Sequence, residues 1–301
     1  MLYDFERKMC MKIQELFKNG PVISLEIFPP KPENPIHTIF DTIHELADLD
    51  PAFISVTYGA GGSGKGHTVE IADVIQNQYG IEALAHLTCI NSTPEEIDEV
   101  LQGLKDANVE NVLALRGDKP IGKDEHSLEN HIYQYAKDLI DHVKGFGDFS
   151  IGAACYPEYH VEASDKVSDL RNLRDKVNSG TDFLITQLFL DNHYFYDFKE
   201  RLDLMDITVP VSAGIMPVIN KKQIERITAL CGTAIPDKFK RILNRYGDNP
   251  EALKEAGIAY ATEQIIDLLS SGVDGIHLYT MNKPEVARKI IEPIRAIRGH
   301  L

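Results

Sequence analysis

The chain has 301 residues, 43% hydrophobic and 26% charged, a balance that supplies a substantial core and excludes a disordered polymer. Its 31 basic against 46 acidic residues leave a formal charge of −15, which excludes the basic stripe that a sequence-independent nucleic-acid binder needs. No run approaches the roughly 18 apolar residues of a membrane span, and the N-terminus MLYDFERKMCMKIQELF mixes charges at helical spacing without a signal-peptide core, so the cytoplasm is the expected compartment.

In chain order, residues 1–20 read as a helical extension. Eight short apolar runs then recur: VISLEIF from Val22, FISVTYG from Phe53, EALAHLTC from Glu82, NVLALRGD from Asn111, SIGAACYP from Ser150, DFLITQLF from Asp182, VPVSAGIMP from Val209 and GIHLYTMN from Gly275. Their usual spacing is that of one βα unit, about 30 residues. Their near-continuous apolarity predicts parallel strands covered on both faces. Helix signals lie between them. Thr93, Pro94, Glu95 and Glu96 give a capping residue, a first-turn Pro and first-turn acids, and 38–49 carries apolar residues at helical intervals. The longer gap from Pro217 to Gly275 is expected to hold extra helices, one of them over 251–270. Eight βα units close a (β/α)8, or TIM, barrel of about 250 residues. With no Pro/Gly/Ser-rich linker, 1–301 reads as one catalytic domain with no regulatory domain.

Cys10, Cys89, Cys155 and Cys231 stand apart, without a CxxC pair, and read as reduced packing residues. In this fold the chemistry sits at the C-terminal strand ends, and polar residues fall there at matching depth: Glu26, Thr57, His86, Asp118, Tyr156 and Gln187. Glu26 is flanked by Leu25, Ile27 and Phe28; loss of hydration there favours the protonated acid and predicts a raised pKa suited to a general acid. A strand carboxylate satisfied by a cation, a core histidine at His86, and a helix cap or Arg116 partner at Asp118 are the plainer alternatives. Metal binding by these three is the weaker reading, because the chain shows none of the short metal-ligand spacings.

After the second strand, GAGGSGKGH satisfies GxGxxG at Gly59, Gly61 and Gly64 and nearly satisfies a phosphate-binding loop. Gly66 stands where that loop needs a hydroxyl, and Glu82 begins the next strand where the dinucleotide fingerprint needs an acid at its end. The run reads instead as a rim loop.

The motifs SLEIFPP, SVTYGAGGS, HLTCIN, LRGDKP, AACYPEYH, ITQLFLD and LYTMN, in that order, resemble the methylenetetrahydrofolate reductases over nearly the whole chain. The resemblance implies FAD-dependent reduction of 5,10-methylenetetrahydrofolate to 5-methyltetrahydrofolate, with one flavin face serving donor and folate in turn. It implies Glu26 as the proton donor and Asp118 as a pterin contact that tunes the flavin. It implies Thr57 and Gln187 as substrate contacts. FAD contacts would come from Tyr58, Ala60, His86, Arg116, Gly117, Asp118, Ala136, Tyr156, His160, Ala163, Asp169, Asn172 and Lys176. Two departures stand out: Lys221 replaces an aromatic after the seventh strand, and Lys283 replaces an Arg after the eighth, giving a point charge to attract folate in place of a planar clamp. The first leaves the electron donor open between NADH, NADPH and a partner protein. A flavin-free pterin-binding barrel in methyl transfer and a noncatalytic subunit remain alternatives. A homo-oligomer is expected on general grounds.

Overall fold

The computed structural model describes residues 11–31, 33–58, 65–90, 92–117 and 132–299. Eight parallel strands form a closed barrel in sequence order: β1 (Val22–Ile27), β2 (Phe53–Val56), β3 (Glu82–Thr88), β4 (Asn111–Leu115), β5 (Ser150–Cys155), β6 (Phe183–Thr186), β7 (Val211–Ile215) and β8 (Gly275–Tyr279). Every predicted run contains its strand.

The helices are α1 (Ile13–Leu16), α2 (His37–Ala47), α3 (Lys65–Asp73), α4 (Pro94–Asp106), α5 (Ala136–Phe146), α6 (Lys166–Asn178), α7 (Asn192–Leu204), α8 (Lys221–Cys231), α9 (Asp237–Tyr246), α10 (Pro250–Ser270) and α11 (Pro284–Arg298). Thr93 caps α4 as predicted: its hydroxyl accepts from the Glu96 N–H, and the Glu96 carboxylate accepts from the Thr93 N–H, a reciprocal arrangement worth about 1 kcal/mol. The long gap before β8 holds α8, α9 and α10.

Packing occurs in two shells. Outward-facing strand residues such as Leu25, Ile27, Val56, Leu87 and Ala114 meet the apolar faces of the surrounding helices in one continuous core. Inside the lower barrel, Val22, Phe53, Leu84, Leu113, Phe183 and Ile185 pack together with Ile13 of α1. Residues 1–10 of the expected N-terminal extension lie outside the described residues; over 11–20, α1 is a single turn followed by a 3-10 turn, Phe17–Asn19. It works as a plug. Ile13 is fully buried, its N–H donates to Asn111 Oδ1 at 2.8 Å, and Phe17 packs against Phe183 with ring centroids 5.9 Å apart. The barrel is thereby closed at the bottom, and its upper interior carries the polar residues.

Candidate active site

Strand alternation sends Ser24 and Glu26 of β1 inward. The β1–β8 register sets Ser24 beside His277 and Glu26 beside Tyr279, and the β1–β2 register sets Glu26 beside Ser55. Glu26 Oε2 lies 3.4 Å from His86 Nε2 and 3.4 Å from His277 Nε2, with Ser55 Oγ donating at 3.5 Å. His277 is fully buried. Its Nδ1 is 2.8 Å from Ser24 Oγ, whose hydroxyl donates to the Ile276 carbonyl at 3.2 Å. The contact at Nδ1 turns Nε2 toward the carboxylate.

The electrostatics correct the expectation for Glu26. Burial works to raise its pKa, but the His277 hydrogen bond, the adjacent His86 and His277 rings and Ser55 outweigh it, and the carboxyl is held below its ordinary 4.5. Apolar sequence neighbours point away from the barrel interior; the residues that Glu26 meets come from three other strands. His86 is pushed down to about 4 by burial, against the opposing charge of Glu26, so its imidazole is neutral at neutral pH. Its Nε2 is buried without hydrogen-bond geometry to a described partner.

A second group forms where β4 and β5 reach the rim. Arg116 makes a two-pronged ion pair with Glu162, at 2.6 and 3.1 Å, so the guanidinium expected among the FAD contacts is engaged by the chain's own carboxylate. The sequence reading missed Glu162 because the pair spans 46 residues and depends on the loop after β5. Gly117, at φ 88, lets the backbone turn where a Cβ would sit 3.1 Å from Thr88 Cβ. Tyr156 and His160 meet edge to face with ring centroids 4.6 Å apart, and burial pushes the Tyr156 hydroxyl to about 12. Tyr159 between them holds φ at 145, a strained backbone of the kind that clusters at functional sites. Asp169 accepts from the His160 N–H, and burial raises its pKa. The Ala163 N–H donates to the His160 carbonyl at 2.9 Å. Lys176, half-buried, donates to the Ala154 carbonyl, and loss of hydration there lowers its pKa.

Other predicted residues surround these two groups. Thr57 and Tyr58 follow β2, with Tyr58 half-buried and pushed to about 12 by burial and then by the charge of Glu96. Ala136 opens α5. Gln187 follows β6, its N–H donating to the Cys155 carbonyl at 2.7 Å and its Oε1 accepting from the Leu188 N–H at 2.8 Å. Asn172 is exposed on α6 and Lys283 is exposed ahead of α11. Asp118, Ala60 and the loop glycines Gly59, Gly61 and Gly64 lie outside the described residues. Lys221 begins α8, its stem lying where a Cβ on Gly247 would come within 2.7 Å of it.

A concavity of about 1050 Å³ between α7, α9 and α10 is lined by none of the predicted site residues. Among the described residues, no cluster of three or more His, Cys, Asp or Glu is placed to hold a metal ion, and no helix is long and apolar enough to cross a membrane.

The residues fit a flavin dinucleotide on two observations. Among the described residues, the half-buried Lys176 ammonium donates one hydrogen bond, to Ala154, and so retains donors for an anion. The Tyr156–His160 pair supplies a partly buried aromatic surface next to it.

The family model described as methylenetetrahydrofolate reductase matches residues 12–295. The chain is 38% identical over 296 residues to methylenetetrahydrofolate reductase (NADH) 1 of Arabidopsis thaliana, covering 94% of this chain and 50% of that one. It is 34% identical over 268 residues to the 5,10-methylenetetrahydrofolate reductase of Escherichia coli K12, covering 89% and 88%. The chain thus spans about half the length of the plant relatives it matches. Its fold is shared, at TM-score 0.64 and 16% identity over 96% of this chain and all of the other, by a Clostridium thermocellum protein that binds two copies of 5-methyl-5,6,7,8-tetrahydrofolic acid. With a family model matched from residue 12 to residue 295 and a bacterial relative covered over most of its length, the chain belongs to the methylenetetrahydrofolate reductase family.

Proposed function

We propose that this chain reduces 5,10-methylenetetrahydrofolate to 5-methyltetrahydrofolate with FAD as its redox group. The observation that carries the reading is the half-buried Glu26 carboxylate, 3.4 Å from an imidazole nitrogen on either side. His277 Nε2 faces Glu26 Oε2 as lone pair or as N–H, and two facing lone pairs repel, so a proton held between them is the stable arrangement. That shared proton lets a carboxyl of depressed pKa act as an acid. Glu26 donates it to the folate nitrogen that leaves as the five-membered ring opens, and the exposed iminium carbon becomes the hydride acceptor. His277 keeps the proton in place through Ser24, and neutral His86 limits the field on the opposite side.

Tyr58, Arg116, Gly117, Ala136, Tyr156, His160, Ala163, Asp169, Asn172 and Lys176, with Ala60 and Asp118, would hold the dinucleotide; Lys176 supplies the enclosed positive charge. Bound flavin supplies the hydride. Thr57, Gln187 and Lys283 would orient folate. The names of the plant relatives favour NADH as donor. Lys221, in place of a stacking ring, favours a test that includes a protein donor.

The test is anaerobic mixing of the yellow holoenzyme with NADH, NADPH or reduced ferredoxin, followed by methylenetetrahydrofolate. Glu26→Gln is expected to bleach normally with the effective donor and to reoxidise about 10²- to 10⁴-fold more slowly with folate, the weight of a lost general acid. A colourless protein, or a Glu26→Gln variant with unchanged folate reduction, would sink the reading.

A further inference from the structure

The pairing of β6 with β7 runs through Leu184–Val211 and Ile185–Ser212 and stops there, whereas β7 pairs with β8 as far as Ile215–Leu278. In a parallel ladder of that register, the next rung takes the Gly214 N–H to the Thr186 carbonyl. Here the Gly214 N–H donates instead to Thr186 Oγ1 at 2.8 Å, and the Thr186 carbonyl accepts the Tyr279 hydroxyl at 2.7 Å. The phenol crosses β7 because Gly214 has no side chain: a Cβ there would lie 2.8 Å from Tyr279 Oη and 2.2 Å from the Thr186 carbonyl oxygen. A continued backbone rung would satisfy Gly214 and Thr186 without any side chain. The wall uses a hydroxyl, a phenol and a glycine in its place.

Two neighbours give this seam a functional position. Tyr279 stands beside Glu26 in the β1–β8 register, and its ring meets His277 at right angles with centroids 5.4 Å apart. Gln187 follows Thr186 directly and is tied to β5 through the Cys155 carbonyl. Its peptide is therefore held on the β5 side and released from β7, so the bonds on Thr186 set where its side chain leaves the wall.

We infer that the Thr186–Gly214–Tyr279 seam is a positioning device that sets Gln187 for folate and couples it to the Glu26–His277 pair. Tyr279 and Thr186 act through Gln187 and need not touch the substrate. The inference rests on the proposed folate reduction and on Gln187 as a folate contact.

The test compares wild-type holoenzyme with Tyr279→Phe, Gln187→Ala and the double variant, using methylenetetrahydrofolate as substrate. Tyr279→Phe removes one hydrogen bond at almost constant volume and is expected to raise KM for folate about five- to tenfold, more than it lowers kcat. In the Gln187→Ala background the same change is expected to add nothing further. Thr186→Ser, which keeps the hydroxyl, should retain the wild-type KM, and Thr186→Val should raise it as Tyr279→Phe does. Additive effects in the double variant, or a lowered melting temperature with unchanged KM, overturn the inference. If Tyr279→Phe does not yield folded holoenzyme, the Thr186→Ser and Thr186→Val pair decides on the same KM criterion. A wild-type holoenzyme that does not reduce folate overturns both the reductase reading and this inference; an active wild type with additive variants overturns the seam alone.

Discussion

At the depth of Glu26 the barrel holds two imidazoles, and burial brings the one on β3, His86, down to about 4 from an ordinary 6.5. The unfolded chain takes up a proton near 6.5 that the folded chain refuses until about 4, so stability falls as pH falls across that window. Glu26, depressed below 4.5, adds a loss of the same sign only in the more acidic range. His86→Gln is expected to flatten the decline of melting temperature between pH 6.5 and 4; calorimetry across that range checks it, and an unchanged slope contradicts it. Glu26 and His86 were legible in the sequence because each is a polar residue inside an apolar run. His277 lies in a run of the same kind, GIHLYTMN, and the available signal was alternation: two residues before Tyr279, it shares that residue's inward face. The direction of the Glu26 shift was not legible, because its cause is cross-strand pairing set by the register of β1, β2, β3 and β8.

Among the elements, strands and helices followed directly from the periodicity of the chain, since a strand buried on both sides needs continuous apolarity and a surface helix needs one apolar stripe. The plug did not. Charges at helical spacing over 1–20 suggested a longer helix, and the described part is one turn whose value lies in Ile13 and Phe17 entering the barrel. Truncating a fully buried side chain costs about 2–5 kcal/mol. Ile13→Ala is expected to lower the unfolding free energy by that much, read from a lower denaturant midpoint, while leaving KM for folate intact, because the plug and the rim lie at opposite ends of the strands. Urea titration beside steady-state kinetics tests it. The rim loops were harder to read than the strands for a physical reason: the Arg116–Glu162 pair arises from two loops brought together by barrel closure, and no local pattern encodes that meeting.

For the molecule as a whole, a formal charge of −15 sets a negative exterior against a half-buried Lys176. Such an ammonium, desolvated and lowered in pKa, is destabilising until an anion meets it. FAD binding to the folded chain is therefore expected to raise the melting temperature, with a gain of about 2.7 kcal/mol at a hundredfold excess over Kd. Lys176→Met should melt higher than wild type in the flavin-free state and gain less from added FAD. Melting curves of both proteins with and without the dinucleotide decide this, and an equal gain in both would remove Lys176 from the binding site.

The plugged floor also governs traffic. With Ile13, Phe53 and Phe183 filling the lower barrel, the described residues leave Glu26 facing the rim side of the strands. On the proposed reaction, donor and folate would share the rim side of the barrel and take turns there, with the packed floor beneath Glu26 offering neither a second approach.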